Sequence, residues 1–118
     1  IIGYEIGRLL KKETIFCERV KGKFILRRGF SIKKGSRVLI IEDVITTGKS
    51  VLECSEIVKM NNANLIGYAC IIDRSNGKSE IKEKIVSQIE LQIPTYNKDN
   101  LPKELSSIKA IKPGSRNL

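Results

Sequence analysis

The sequence predicts an α/β fold: a parallel sheet flanked by helices, with a small antiparallel hairpin beside it. Three observations carry this. Val38-Leu39-Ile40-Ile41 is an apolar run too brief for a membrane span, Leu65 to Ile72 is a second near-continuous one, and an apolar helix face lies between them. Runs of this kind suit parallel strands covered on both faces, and strand, helix, strand in that order is a βαβ unit. At 118 residues the chain reads as one domain, 1–118, near the lower end of the usual size range.

Taken in order, Ile2, Ile6, Leu9 and Leu10 recur at helical spacing, so Ile1 to Leu10 is a helix. It has neither a capping residue nor an initiating Met before it, which reads as a start inside an element. Thr14 to Arg19 alternates and is rich in branched and aromatic residues, a strand whose hairpin partner is Phe24 to Arg27. Arg19-Val20-Lys21-Gly22-Lys23 joins the two as a short basic turn, and Lys33-Lys34-Gly35-Ser36 turns into the central strand. Val51, Leu52, Cys54, Ile57, Val58 and Met60 mark the helix face, which Asn61-Asn62-Ala63-Asn64 stops. After the second apolar run, Ser79 to Lys84 is a short helix or loop. Ile85 to Tyr96 is another strand, alternating at Ile89, Leu91 and Ile93 and ended by Pro94. Leu101 to Leu105 makes one further helical turn.

Composition removes several classes of function. A net charge of +9 suits phosphate-rich ligands and nucleic acid alike. The basic residues, however, come in ones and twos, and only three Tyr and three Phe interleave with them, which argues against a stacking platform for single strands. Nucleic acid is therefore not the expected partner. Cys17, Cys54 and Cys70 are odd in number, far apart in sequence and without a C-x-x-C, so reduced, mostly buried thiols in a cytoplasmic protein are expected. No signal peptide or membrane span is present in the sequence. Histidine is absent, so any catalysis must use carboxylates, lysine, arginine and backbone dipoles.

The most informative stretch runs from Arg37 to Ser50. An apolar strand leads into Glu42 and Asp43, then into Val44-Ile45-Thr46-Thr47-Gly48-Lys49-Ser50 and a helix start. Ligands of open α/β sheets bind beyond the carboxyl ends of strands, which is where these groups fall. Hydroxyls of Thr46, Thr47 and Ser50, with backbone N–H groups around Gly48, would cradle a phosphate at the positive end of the helix. Gly48-Lys49-Ser50 matches the tail of a nucleotide-binding P-loop, but that pattern needs glycine at position 43, where this chain has Asp. The plain structural alternative is a buried strand, a solvated acidic corner and a Thr or Ser helix cap.

Two acids, a branched apolar pair and Thr-Thr-Gly resemble the phosphoribosyl pyrophosphate (PRPP) signature of type I phosphoribosyltransferases. The order of strand, basic loop, Leu26-Arg27-Arg28-Gly29-Phe30 and acidic strand resembles the orotate branch of that family. The resemblance implies a type I phosphoribosyltransferase-like core and transfer of ribose 5-phosphate from PRPP to orotate, with release of pyrophosphate. It places Glu42 and Asp43 on the ribose hydroxyls, Asp43 being catalytic, and Thr46 to Ser50 around the 5-phosphate, with Val44 and Ile45 also among the PRPP-binding residues. Arg19, Lys21 and Lys23 become a mobile cationic loop for the leaving group, with Lys21 and Lys23 the catalytic candidates. Many relatives also carry histidine in this loop, which this chain lacks. Thr46 and Arg74 would meet orotate. Alone, Arg74 could equally be a surface arginine paired to Asp73.

The resemblance further implies Mg2+ bridging the pyrophosphate, held by ligand oxygens and water with no direct protein ligand, and a homodimer. The family has a hood, a first core strand and a pyrophosphate-gripping loop ahead of the corresponding helix, and none of these is in this sequence. The tail Ile111-Lys112-Pro113-Gly114-Ser115-Arg116 resembles the terminus of a bacterial and archaeal group of these enzymes. Leu101-Pro102-Lys103-Glu104 stands where that group often has C-x-x-C. Two alternatives remain at this point: a PRPP-sensing regulator that binds nucleic acid on the same core, and a truncated, inactive remnant.

Overall fold

The computed structural model describes residues 1–97, 99–109 and 111. Eight elements follow in order: α1 (Ile2–Leu10), β1 (Cys17–Val20), β2 (Lys23–Leu26), β3 (Arg37–Ile45), α2 (Lys49–Met60), β4 (Asn64–Asp73), β5 (Ile85–Glu90) and α3 (Lys103–Ser106). β3, β4 and β5 form a parallel sheet in that order, and β1 and β2 form a separate antiparallel ribbon. α2 lies across β3 and β4, α1 packs on β3, and β2 packs on α2.

Ile45, Val51, Tyr68 and Cys70 are buried together where α2 meets the sheet, with Ile40, Leu65, Ile81 and Ile85 packed against them. The helix face predicted for α2 is only partly the buried one. Val51 and Val58 are buried and so is Ser55, whose Oγ donates to the Leu52 carbonyl at 2.7 Å, whereas Met60 is 81% exposed. Met60 is the last residue of the helix. Of the three cysteines only Cys70 is buried; Cys17 and Cys54 are half-buried, which corrects the expectation of mostly buried thiols.

The hairpin is shorter than predicted, and its register explains why. Lys21 and Gly22 both have positive φ, 48° and 83°, forming a two-residue turn that sets Val20 opposite Lys23. A turn of this handedness matches the twist of its strands, and glycine takes it without strain. The ladder then closes at Cys17 opposite Leu26. β2 ends there, so Thr14, Ile15 and Phe16 have no partner strand. Arg19 and Lys23 accordingly lie in the strands, and the loop proper is Lys21-Gly22 alone.

β5 likewise ends at Glu90, well short of the predicted Tyr96. Its alternation continues through Leu91 and Ile93, but its partner β4 stops at Asp73, whose carbonyl accepts the Leu91 N–H at 2.9 Å. Alternation without a neighbouring ladder does not make a strand. Residues 79–84 form no helix; they bring Ile81 to the core. Of the tail discussed above, Lys112 to Arg116 lie outside the described residues.

Candidate active site

β3 runs through both acids before it releases the chain, so Glu42 and Asp43 are strand residues and the loop to α2 is only Thr46-Thr47-Gly48. Gly48 is buried with φ 81°, and a Cβ there would stand 2.9 Å from Ile81 Cδ1. Backbone conformation and close packing both demand glycine. Beyond it α2 begins with no side-chain cap and no acidic residue in its first turn, and only a 3.4 Å contact from the Lys49 N–H to Thr47 Oγ1. The first N–H groups of that turn have no side-chain cap, and the exposed Thr46, Thr47, Lys49 and Ser50 surround them. Such a terminus carries partial positive charge and binds anions.

The two acids differ although consecutive. Asp43 is exposed and its Oδ1 accepts the Val44 N–H at 2.8 Å. Glu42 is half-buried opposite Cys70. Burial raises its carboxyl above the usual carboxylate value, and the neighbouring Asp43 carboxyl pushes in the same direction.

Arg74 is held at the same end of the sheet. Its N–H donates to the Ile45 carbonyl at 2.7 Å, and the Asp73 carboxylate accepts from the Ser75 N–H at 2.7 Å, so the turn is pinned on both sides of it. Asp73 is thus used by the backbone, and no ion pair joins it to Arg74 among the described residues. Arg74 Nε is buried and has no hydrogen-bond acceptor among the described residues. A buried donor without an acceptor is costly in a protein interior, and one at a cleft is ready for an acceptor from a ligand.

Thr46, Thr47, Lys49 and Arg74 line one open cleft of about 1280 Å³, which Ile93, Pro94 and Thr95 also line. Glu42 and Asp43 stand further back along β3 and do not line it, and neither do Val44, Ile45, Gly48 or Ser50. Arg19, Lys21 and Lys23 are also outside it. Arg19 reaches its edge indirectly: it pairs with Glu53 at 2.7 Å, donates to the Gly22 carbonyl and stacks 4.1 Å over the Phe24 ring. Glu53 does line the cleft and was not foreseen. Its signal was present, because Lys49, Leu52, Glu53 and Glu56 share one helical face, complementary to the buried Val51, Ser55 and Val58. The described residues hold no cluster of three His, Cys, Asp or Glu able to bind a metal, and no helix among them is long and apolar enough to cross a membrane.

Comparison with known proteins adds to this geometry. Residues 7–104 match a family model described as the phosphoribosyl transferase domain. The chain is 46% identical over 118 residues to an orotate phosphoribosyltransferase of Parvibaculum lavamentivorans and 50% identical over 119 residues to one of Methylorubrum populi. In both cases it is covered in full and spans 61% of the relative's length. A crystal structure of an adenine phosphoribosyltransferase superposes with a TM-score of 0.63 at 21% identity, covering 72% of this chain and 58% of that one. At that identity the likeness speaks for the fold alone.

Proposed function

Because the chain belongs to the phosphoribosyl transferase domain family, we propose that its protein transfers ribose 5-phosphate from PRPP to orotate, releasing pyrophosphate. The observation that carries the choice of base is Arg74. Its backbone is pinned to the Ile45 carbonyl, its Nε is buried and lacks an acceptor among the described residues, and it shares a cleft with the uncapped start of α2. A planar donor fork suits a carboxylate-bearing ring, and orotate has one. The match of this whole chain to 61% of the length of proteins named orotate phosphoribosyltransferase supports the same substrate.

In this reading Thr46, Thr47, Lys49, Ser50 and the amides around Gly48 hold the 5-phosphate, while Val44 and Ile45 anchor that loop to the sheet. Glu42 and Asp43 hold the ribose hydroxyls and set negative charge beside the sugar as it becomes cation-like. That stabilisation is electrostatic and needs no histidine. Arg74 and Thr46 orient the base. Arg19, Lys21 and Lys23 neutralise the leaving pyrophosphate, which requires the hairpin to release Arg19 from Glu53. In the same reading a Mg2+ ion would be carried mainly by substrate oxygens and water, with no direct protein ligand. When bound it would offset charge on the leaving group. A homodimer and a cytoplasmic location belong to the same reading.

The test is orotate consumption with PRPP and Mg2+, followed by loss of orotate absorbance, with adenine as the competing base. Turnover of orotate and not of adenine is the expected result, and turnover of adenine alone would overturn the choice of base.

A further inference from the structure

Glu53 has a choice of cations and takes the distant one. It shares the outward face of α2 with Lys49, one turn before it, and Glu56, one turn after. Glu56 is engaged by Lys59 at 2.8 Å, and Lys49 enters no ion pair among the described residues. Glu53 instead accepts from Arg19 of the hairpin, 34 residues away in sequence, at 2.7 Å. A Lys that precedes a Glu by four residues is the weaker helical order, which leaves Glu53 open to a partner from another element.

Arg19 is laid out for this contact. It stands opposite Phe24 in the ribbon, and its guanidinium lies 4.1 Å over that ring, with one N–H on the Gly22 carbonyl and another on Glu53. A guanidinium has more N–H groups than these two contacts use, so others are open to a second acceptor. The Arg19 side chain is 41% exposed and that of Glu53 30%, and Glu53 lines the same cleft as Thr46, Thr47 and Arg74. A cation held by an acid at the edge of an anion-binding cleft is one that an arriving anion can take over.

We propose that Glu53 is the positioning residue for Arg19, parking its guanidinium at the rim of the cleft and yielding it to a pyrophosphate group, a role that rests on the reading of PRPP as the substrate. The exchange is stepwise. Open N–H groups of Arg19 meet the anion while Glu53 is still attached, and the carboxylate is then displaced. Because the ion pair is exposed, releasing it weakens binding by about fivefold or less. A guanidinium on a phosphate contributes about tenfold or more, so the swap is favourable. Ribose 5-phosphate, whose one phosphate is taken by the first turn of α2, has no second phosphate to drive it. The freed carboxylate stays at the cleft and reclaims Arg19 when pyrophosphate departs.

Calorimetric titration with inorganic pyrophosphate, at ~0.15 M salt so that unpaired charges are screened, compares the wild type with Glu53→Gln, Arg19→Ala and the double variant. Glu53→Gln should tighten pyrophosphate binding about three- to fivefold and shift ribose 5-phosphate binding by less than about 1.5-fold. Arg19→Ala should weaken pyrophosphate binding about tenfold or more, and adding Glu53→Gln to it should change that by no more than about 1.5-fold. In the wild type the NMR signal of the Arg19 Nε–H should move with pyrophosphate and stay still with ribose 5-phosphate. Weaker or unchanged binding in Glu53→Gln, an equal gain with and without Arg19, an Arg19 signal unmoved at saturation, or no pyrophosphate binding by any form would overturn the proposal. Orotate turnover is read separately. Turnover with no gain in Glu53→Gln removes the exchange alone, and the gain without turnover removes the substrate reading alone.

Discussion

The loop at the start of α2 and the hairpin carry the two sets of candidate binding groups, yet they are built differently. The loop is made by backbone and core: Gly48 is wedged beneath Ile81, and Ile45 and Val51 on either side of it are each only 2% exposed. The hairpin is held mainly by side chains at its surface. Glu18 takes both Arg27 and Arg28, at 2.9 and 2.8 Å, and Arg19 reaches Glu53. Surface ion pairs contribute ~0–1 kcal/mol each, so the hairpin can be released at small cost while the loop cannot. A site that must grip one end of a substrate permanently and the other transiently would be divided in this way.

The sharpest way to break this comparison is chemical. Asp43→Asn should slow transfer about 100-fold, the scale of losing one preorganised electrostatic contact, while circular dichroism and thermal unfolding stay near wild type. An unchanged rate would remove Asp43 from the chemistry. Arg74→Ala should raise KM for orotate about 10- to 100-fold, as expected for a lost charge-assisted pair, and leave KM for PRPP close to its starting value. A similar rise in both would make the arginine a structural residue.

Smaller effects separate the two regions energetically. Gly48→Ala forces an L side chain into a left-handed conformation against Ile81 and should destabilise by ~1–3 kcal/mol in urea denaturation. Glu53→Gln should change global stability by less than ~1 kcal/mol, yet speed amide exchange in β1 and β2 with none in the 46–50 loop. Exchange rising equally in both regions would show that they open as one unit.

Glu42 gives a test in pH. Its carboxyl is raised in the folded chain above 4.5, so its contribution to stability is fully present below that value and is lost as pH rises through the folded one. Glu42→Gln removes the dependence. The variant's urea midpoint should therefore gain on the wild type as pH rises from about 4.5 towards neutrality.

How much of this was legible in the sequence depends on whether the deciding partner was near in the chain. α1, β3, α2 and β4 were readable because their patterns of apolar residues are local, and the Asp-to-glycine mismatch at position 43 excluded the P-loop without a structure. Arg74 was placed at the right edge because a parallel strand pair fixes it opposite the end of β3. The ends of β1 and β5 were missed because each is set by where another strand stops. The Arg19–Glu53 pair joins residues 34 apart in sequence and leaves no local signal. The cleft also needed coordinates, since residues 93–95 reach it from a segment that reads as strand.

The central claim is that the first turn of α2 is a fixed phosphate cradle. Titration of isotope-labelled protein with ribose 5-phosphate, followed by amide NMR, tests it most directly. Saturable shifts at Thr47, Gly48, Lys49 and Ser50, with the hairpin amides of residues 17–26 unmoved, are the predicted result. Shifts confined to the hairpin, with the α2 amides silent at saturation, would contradict it.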